Sequence, residues 1–214
     1  MPKSVLRKRF LSVERKKTLK QLFKEIEKDR HYYEASGGGV TLSGGECLLQ
    51  ADFCAALLKK CKEEGIHTAV ESAFFVDYSQ VEKVFPYVDF FYADLKIADS
   101  LKHKRYTGQE NGVIINNIQR LSKRETSIVI RIPVIPTVND NKEDMRALGE
   151  IIRGFSGAVK GVELLKYNPL ASSKYKSVGK EYHSFAKDAQ TDEEMTVLKE
   201  VLQETCIKIP VFFN

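Results

Sequence analysis

Apolar residues recur along the chain with two alternating periods, and this alternation predicts helices separated by strands. Leu19, Phe23 and Ile26 are three or four residues apart, which is the spacing of one helix face, so the segment 16–35 predicts an amphipathic helix. A second helix is expected to end at Gly65, because glycine commonly follows the last helical turn. The same reasoning predicts helices over 48–64, 78–88, 112–125, 141–155 and 192–206.

Short apolar runs lie between these helices and predict strands. They are rich in β-branched and aromatic residues, as in DFFYADLK at 89–96. Helices that alternate with apolar strands are typical of parallel βα units, arranged either as a barrel or as a doubly wound sheet. Residues 99–108 predict a helix or a loop, and 171–190 predict a polar loop. The predicted strands lie within 39–46, 66–72, 89–96, 127–136, 159–170 and 207–213.

Length and composition limit the class of protein. The 214 residues fit one domain, which we expect to span 18–214 after a basic segment, 1–17, that is a linker or the tail of a preceding region. The net charge of +5 is too diffuse to predict a nucleic-acid partner. We find no apolar run of about 18 residues and no apolar core of a signal peptide. We therefore predict a cytoplasmic protein without a membrane span, whose four cysteines are thiols.

Polar side chains stand where most of the predicted internal strands end. The carboxyl ends of parallel strands meet on one rim of a barrel, and that rim carries the chemistry in barrel enzymes. Asp94 and Lys96 are two residues apart and point to the same side of their strand, so they could pair with each other or hold a zwitterionic ligand. The residues predicted on the rim are Glu46, Glu71, Asp94, Lys96, Arg131 and Asn168.

The segment SGGGVTLSGGE, residues 36–46, combines five glycines with one carboxylate. It is not a phosphate-binding loop, because Gly45 and Glu46 follow Gly44 where a Walker motif requires lysine, and a dinucleotide-binding pattern fails at Leu42. Glycine backbone lets a ligand approach closely, and Glu46 can accept hydrogen bonds from a cation such as an α-ammonium group. The alternative is a tight strand-to-helix turn that uses glycine only for its positive φ.

Three segments together resemble one known family: SGGGVTLSGGE, ADLK at 93–96 and RIPVIPTVND at 131–140. They are similar to the glycyl-radical-enzyme activating enzymes of pyruvate formate-lyase-activating type, in the radical S-adenosylmethionine superfamily. The resemblance runs from about Thr18 to Tyr167. It departs from the family at Cys47, where a proline usually follows the Gly-Gly-Glu motif.

The resemblance implies an α/β fold, a partial (β/α) barrel of radical SAM type, that binds S-adenosylmethionine at its rim. It implies that Gly44, Gly45 and Glu46 contact the methionine end of this cofactor. The other cofactor-binding residues that it implies are Glu71 and Ser72 near the ribose, Asp94 and Lys96 of the D-L-K motif, Arg131 and Val134 on a strand lining the cofactor, and Asn168, where relatives often have histidine.

The family reaction requires a [4Fe-4S] cluster that a flavodoxin or ferredoxin reduces. The cluster cleaves S-adenosylmethionine to a 5′-deoxyadenosyl radical, which takes hydrogen from a glycine of a partner glycyl radical enzyme. The cluster is held by a C-x-x-x-C-x-x-C motif, which this sequence does not contain. Cys47, Cys54 and Cys61 are spaced by about 10 Å along a helix, too far for one compact cluster, so we interpret them as core residues. We therefore predict a barrel without its first strand and cluster loop, which is inactive alone and binds the cofactor weakly.

Two other functions stay open at this point. A cluster-less barrel could bind a partner protein or a nucleoside without catalysis. An unrelated aldolase-like barrel could use Lys96 as a Schiff-base amine, although it would not explain the combined Gly-Gly-Glu and D-L-K motifs. A barrel without its first strand would also have an open edge, and because such edges pair with other chains we predict dimerisation or aggregation.

Overall fold

The computed structural model describes residues 17–169 and 185–213, which form a six-stranded parallel sheet with helices. The strands follow one another across the sheet in chain order, from the first to the sixth. A doubly wound sheet reverses its strand order at a switch point, so this order excludes that alternative and confirms the partial barrel. The strands are β1 (Gly39–Leu42), β2 (His67–Ser72), β3 (Phe90–Asp94), β4 (Ser127–Pro133), β5 (Val159–Leu165) and β6 (Val211–Phe213).

Helices connect the strands and begin at the caps that the sequence provides. Thr18 accepts a hydrogen bond from the Gln21 amide and the Gln21 side chain accepts one from the Thr18 amide, which is a capping box. The single helix predicted over 16–35 is in fact two helices, divided at Asp29. The helices are α1 (Leu19–Lys28), α2 (Arg30–Ser36), α3 (Ala51–Glu63), α4 (Tyr78–Val84), α5 (Ser100–Thr107), α6 (Gly112–Ser122), α7 (Lys142–Arg153) and α8 (Asp192–Thr205).

The main core lies between the sheet and these helices. Val70, Phe91 and Ile130, which share one side of neighbouring strands, are fully buried there. Alternate residues of a strand point to the opposite side. On that side, Tyr92 and Arg131 keep part of their surface exposed. We call this side of the sheet the inner face.

Several predicted boundaries move in the structure. β1 ends at Leu42, so Glu46 lies beyond the strand rather than at its end. Gly65 has a φ of +70° just after α3, as a helix-ending glycine should. Residues 99–108 contain helix α5, which resolves the open choice between helix and loop. The predicted segment 1–17, except its last residue, and residues 171–184 of the predicted polar loop lie outside the described residues, as does residue 170 before that loop. No helix among the described residues is long and apolar enough to cross a membrane.

Candidate functional site

The Glu46 carboxylate joins the loop after β1 to the end of β2. It accepts hydrogen bonds from the Ser72 hydroxyl at 2.9 and 3.0 Å and from the Ala73 amide at 3.1 Å. It also accepts one from the Leu48 amide at 3.1 Å, which caps the 3₁₀ turn that starts at Cys47. Glu46 therefore holds the turn after β1, residues 43–46, against β2. We call these residues the glycine-rich turn.

The glycine-rich turn needs glycine for its backbone at one position. Gly44 has a φ of +127°, a conformation that residues with a Cβ rarely adopt. Gly45 has an ordinary φ, and a Cβ built at either glycine would meet open space. The tight-turn explanation therefore holds for Gly44, while the backbone beside Gly45 stays accessible to a ligand.

Arg131 lies at the centre of an ion-pair network on the inner face. Its side chain contacts Glu71 at 3.2 Å and Glu163 at 2.8 Å, and its guanidinium carbon lies 3.7 Å from the centre of the Tyr92 ring. In the register of the sheet, Arg131 stands beside Asp94 on β3 and Glu163 on β5. Burial lowers the pKa of Arg131, but Glu163, Glu71 and Tyr92 together raise it by more, so the guanidinium stays charged.

Asp94 and Lys96 form the pair that their spacing allowed. The Lys96 ammonium donates to the Asp94 carboxylate at 2.7 Å, and both side chains remain partly exposed. The main chain near Lys96 is tied to β4, because the Leu95 amide donates to the Arg131 carbonyl at 2.9 Å. The structure thus brings Asp94, Lys96 and Arg131 together at adjoining strand ends.

Val134 and Asn168 lie beyond the ends of β4 and β5. Val134 is fully buried; its amide donates to the Leu165 carbonyl at 2.8 Å and its carbonyl accepts from the Gln190 side chain at 3.0 Å. Asn168 is exposed and follows β5 by three residues. The contact of either residue with a cofactor stays a prediction.

Sequence reasoning missed two residues of this network, Tyr92 and Glu163. Both look like ordinary members of an alternating strand pattern. Tyr92 precedes Asp94 by two residues, so strand alternation could have placed it on the same side. Glu163 had no such signal, because its pairing with Arg131 depends on the register of β4 and β5, which shifts between Ile128 and Val129.

The site residues on the inner face and its rim include four carboxylates and two cations. A surplus of negative charge favours a ligand with net positive charge, such as a sulfonium that also carries an α-ammonium group. Ion pairs satisfy the two cations, which leaves two carboxylates in excess. The carboxylates are those of Glu46, Glu71, Asp94 and Glu163, and the cations are Lys96 and Arg131.

The cysteines do not form a site for an iron–sulfur cluster. All four are free thiols in the described part of the chain, as predicted. Cys61 packs in a small apolar cluster with Phe23, whereas Cys206 donates to the Gly149 carbonyl behind the other end of the sheet. Cys54 donates to the Cys47 carbonyl at 3.2 Å, so only these two are neighbours. The predicted helical separation of about 10 Å is therefore wrong for this pair, because Cys47 lies in the 3₁₀ turn before α3.

Burial and neighbouring groups shift the pKa values of the four thiols. Cluster ligands are thiolates. The shared hydrogen bond with Cys54 and burial raise the pKa of Cys47, and the same bond lowers that of Cys54. Burial raises the pKa of Cys61, and it raises the pKa of Cys206 to about 11. Three of the four therefore favour the neutral thiol when no metal is bound. It is the separation of these cysteines that does not fit a [4Fe-4S] cluster, and the described residues contain no other group of possible metal ligands.

Comparison with known proteins identifies the class to which this fold and rim belong. The sequence profile described as the Radical SAM superfamily matches residues 4–148. The crystal structure of a domain of pyruvate-formate lyase-activating enzyme from Bacteroides vulgatus superposes with a TM-score of 0.68 at 25% identity, covering 83% of this chain and 99% of that domain. The match to the profile covers the Gly-Gly-Glu and D-L-K motifs and most of β1 to α7.

Curated relatives narrow this class to one group. The chain is 40% identical over 166 residues to the (2S)-3-sulfopropanediol dehydratase activating enzyme of Klebsiella oxytoca, covering 77% of this chain and 52% of that enzyme. It is 34% identical over 187 residues to the pyruvate formate-lyase-activating enzyme of Clostridium pasteurianum, covering 87% and 78%. The chain belongs to the radical SAM superfamily and, within it, to the glycyl-radical-enzyme activating enzymes. This confirms the family resemblance. The chain spans about half the length of the Klebsiella relative.

Proposed function

We propose that this chain forms the S-adenosylmethionine-binding face of a glycyl-radical-enzyme activating enzyme. The observation that carries the proposal is the combination of the Glu46–Ser72 contact with an inner face and rim whose site residues include two more carboxylates than cations. S-adenosylmethionine has a sulfonium, an α-ammonium and one carboxylate, and therefore a net positive charge. A negative inner face favours such a ligand over an anion.

Each predicted residue has a part in this assignment. The Glu46 carboxylate already accepts bonds from the protein, so its task is to hold the Gly44–Gly45 backbone where it can meet the methionine end of the ligand. Glu71 and Ser72 are assigned to the ribose end. The Asp94–Lys96 pair can receive a zwitterion, since it presents one charge of each sign. Arg131 with Glu71 and Glu163 forms the floor, and Val134 and Asn168 are assigned to the far edge.

The ligand supplies the chemistry of hydrogen abstraction, which in the family takes a hydrogen atom from a glycine of the partner enzyme. This chain's own cysteines do not fit the cluster on which cofactor cleavage depends, so we assign it no catalysis by itself. The electron donor, flavodoxin or ferredoxin, and the docking of a glycyl radical enzyme belong to the proposal for the intact enzyme. The identity of the relatives supports an activating role, while the partner enzyme stays a proposal.

Titration of the purified chain with S-adenosylmethionine and S-adenosylhomocysteine tests the assignment. Without a cluster to anchor the amino and carboxylate groups, we expect weak binding, with a Kd on the order of 1 mM. Ligand-observed NMR detects binding in this range, and Glu82→Gln, an exposed glutamate on α4, is the matched control for Glu46→Gln. Absence of binding at about ten times that concentration would contradict the proposed face, and micromolar binding would contradict the need for the cluster.

A further inference from the structure

Three buried asparagines make the same kind of hydrogen bonds to loops at the carboxyl ends of the strands. Asn111, Asn117 and Asn139 are 3%, 2% and 0% exposed. Each donates its side-chain nitrogen to two main-chain carbonyl oxygens of the loops there, which removes the cost of burying those oxygens. The acceptors are Ile97 and Ala98 for Asn111 at 2.9 and 2.8 Å, Phe74 and Val76 for Asn117 at 2.9 and 2.8 Å, and Lys96 and Pro133 for Asn139 at 2.7 and 2.9 Å.

Asn139 differs from the other two because it joins two loops. Asn111 and Asn117 each bind carbonyls of one loop, whereas Asn139 binds Lys96 after β3 and Pro133 at the end of β4. Its side-chain oxygen also accepts from the Ile135 amide at 2.6 Å. One wholly buried amide group thus fixes the separation of two strand ends.

The turn that carries Asn139 is itself strained. Thr137 has a φ of +65°, which is costly for a β-branched residue and persists only where the surroundings hold it. Asn139 holds the start of this turn through Ile135, and Asp140 holds its centre by accepting from the Thr137 amide at 2.9 Å. The turn therefore keeps Asn139 in a fixed place relative to β4.

The carbonyl that Asn139 holds belongs to Lys96, whose side chain is in the candidate cofactor site. The Lys96 ammonium pairs with Asp94, and Asp94 stands beside Arg131 in the sheet register. Two bonds therefore set the position of Lys96 relative to Arg131: the one from the Leu95 amide to the Arg131 carbonyl, and the one from Asn139 to the Lys96 carbonyl, which lies on the loop side of Leu95. Substitution of Asn139 by alanine leaves that carbonyl, the Pro133 carbonyl and the Ile135 amide without this partner.

We propose that Asn139 is a positioning residue, which acts through the main chain of Lys96 to hold the two cations of the inner face in register. The proposal deepens the function proposed above and rests on it for its meaning in ligand binding. The placement of Lys96 can be measured without any ligand, so the two can fail separately.

The first experiment measures the reactivity of individual lysines with an amine-acylating reagent by mass spectrometry. Asn139→Ala and the milder Asn139→Ser are compared with Thr68→Val. Thr68 is also fully buried and donates its hydroxyl to the Tyr87 carbonyl at 2.6 Å, but it lies at the opposite end of β2. It is the control for lost burial and lost hydrogen bonding away from the rim.

We expect both Asn139 variants to raise the acylation rate of Lys96 by roughly threefold or more, because the loop opens more often. We expect Lys83, which pairs with Asp52 on another surface, to be unchanged, and Thr68→Val to leave Lys96 unchanged. An unaltered Lys96 rate in a folded Asn139 variant would overturn the proposal. If Asn139→Ala does not fold, Asn139→Ser decides by the same readout.

A second measurement connects the placement of Lys96 to the ligand. We expect the affinity for S-adenosylmethionine to fall by roughly threefold in Asn139→Ser and to be unchanged in Thr68→Val. A changed Lys96 rate with no binding by the unaltered chain would contradict the proposed function while supporting the positioning role. Equal ligand affinity in all three proteins, with binding present, would overturn the role of Asn139 in the site.

Discussion

Ser72 donates its hydroxyl to both oxygens of the Glu46 carboxylate, at 2.9 and 3.0 Å, across 26 residues of sequence. The same Ser72 oxygen accepts from the Phe74 amide at 2.8 Å, and Phe74 has a φ of +55°, unusual for a residue with a side chain. The contact therefore fixes two loops at once, the glycine-rich turn after β1 and the turn after β2. A motif that looks local in the sequence depends on a strand from the next βα unit.

Removal of the Ser72 hydroxyl should weaken both the fold and the site. Ser72→Ala leaves the Glu46 carboxylate and the Phe74 amide short of one partner each. We expect a loss of about 1–3 kcal/mol in the free energy of unfolding, measured with urea. Ser156→Ala, at an exposed position before β5, should change it by less than about 0.5 kcal/mol. Equal free energies of unfolding for the two variants would show that the Ser72–Glu46 contact makes no net contribution to stability.

Arg131 should contribute to stability mainly by neutralising the Glu163 carboxylate. Glu163 is 7% exposed, so Arg131→Met leaves a nearly buried negative charge without its cation. We expect a loss of about 3–5 kcal/mol in the free energy of unfolding. Adding Glu163→Gln removes that charge and should restore part of the loss. A double-mutant cycle by urea unfolding gives the coupling energy, and additive effects would contradict the network.

Asp89 should make stability depend on pH at the end of the sheet opposite the rim. Burial raises its pKa, but bonds from Lys62 and Thr68 lower it by more, so it falls below its usual value of 3.8. The ionised carboxylate therefore stabilises the fold above the unfolded-state pKa, and this contribution is lost as the pH falls through the folded-state pKa. Asp89→Asn should remove it.

Urea unfolding of both proteins between neutral pH and about pH 3 measures this difference. The unaltered chain should be more stable than Asp89→Asn at neutral pH, and the gap should narrow as the pH falls below about 4. A gap that stays constant over this range would mean that the ionisation of Asp89 does not contribute to stability.

Lys96 should not form a Schiff base, which is what the aldolase-like alternative requires. Its ammonium donates to the Asp94 carboxylate at 2.7 Å, so a carbonyl compound would have to displace that partner. We expect borohydride to trap no small aldehyde on Lys96 above the level at exposed Lys104, as measured by peptide mass spectrometry. Preferential trapping at Lys96 would revive the lyase alternative.

The sequence was sufficient for features that depend on local periodicity. The strand predicted over 66–72 is β2, His67–Ser72, a short run with the apolar residues Ala69 and Val70 at its centre and polar residues at both ends. The spacing of Asp94 and Lys96 placed them on the same side of the chain, and their pairing is one of the two arrangements that this spacing allowed. In both cases one short segment contains all the information.

Features that depend on how segments meet could not be read from spacing. Glu163 reaches Arg131 only because β5 lies beside β4 in one register, and an irregularity between Ile128 and Val129 sets that register. Asn139 looks like a turn residue in the sequence, but its amide binds the Lys96 carbonyl 43 residues away. Packing of whole βα units decides such contacts, so the network of the site became visible only in the structure.

The outer edge of β1 should cause association of this chain. Among the described residues, β1 pairs only with β2, and its sequence Gly39–Leu42 contains neither a charge nor a proline that would block another strand. A cavity of about 500 Å³ beside it is lined by apolar residues including Leu22, Phe53 and Leu57. We expect dimers, whose fraction increases with the protein concentration.

Light scattering after size exclusion, over a series of concentrations, measures this association. Thr41 is exposed on β1, so Thr41→Lys places a charge on the edge and should shift the population to monomer. Val197→Lys, at an exposed position on α8, adds the same charge away from the edge and should leave the dimer in place. A monomer for the unaltered chain at the highest concentration, or dissociation by both variants alike, would contradict pairing through β1.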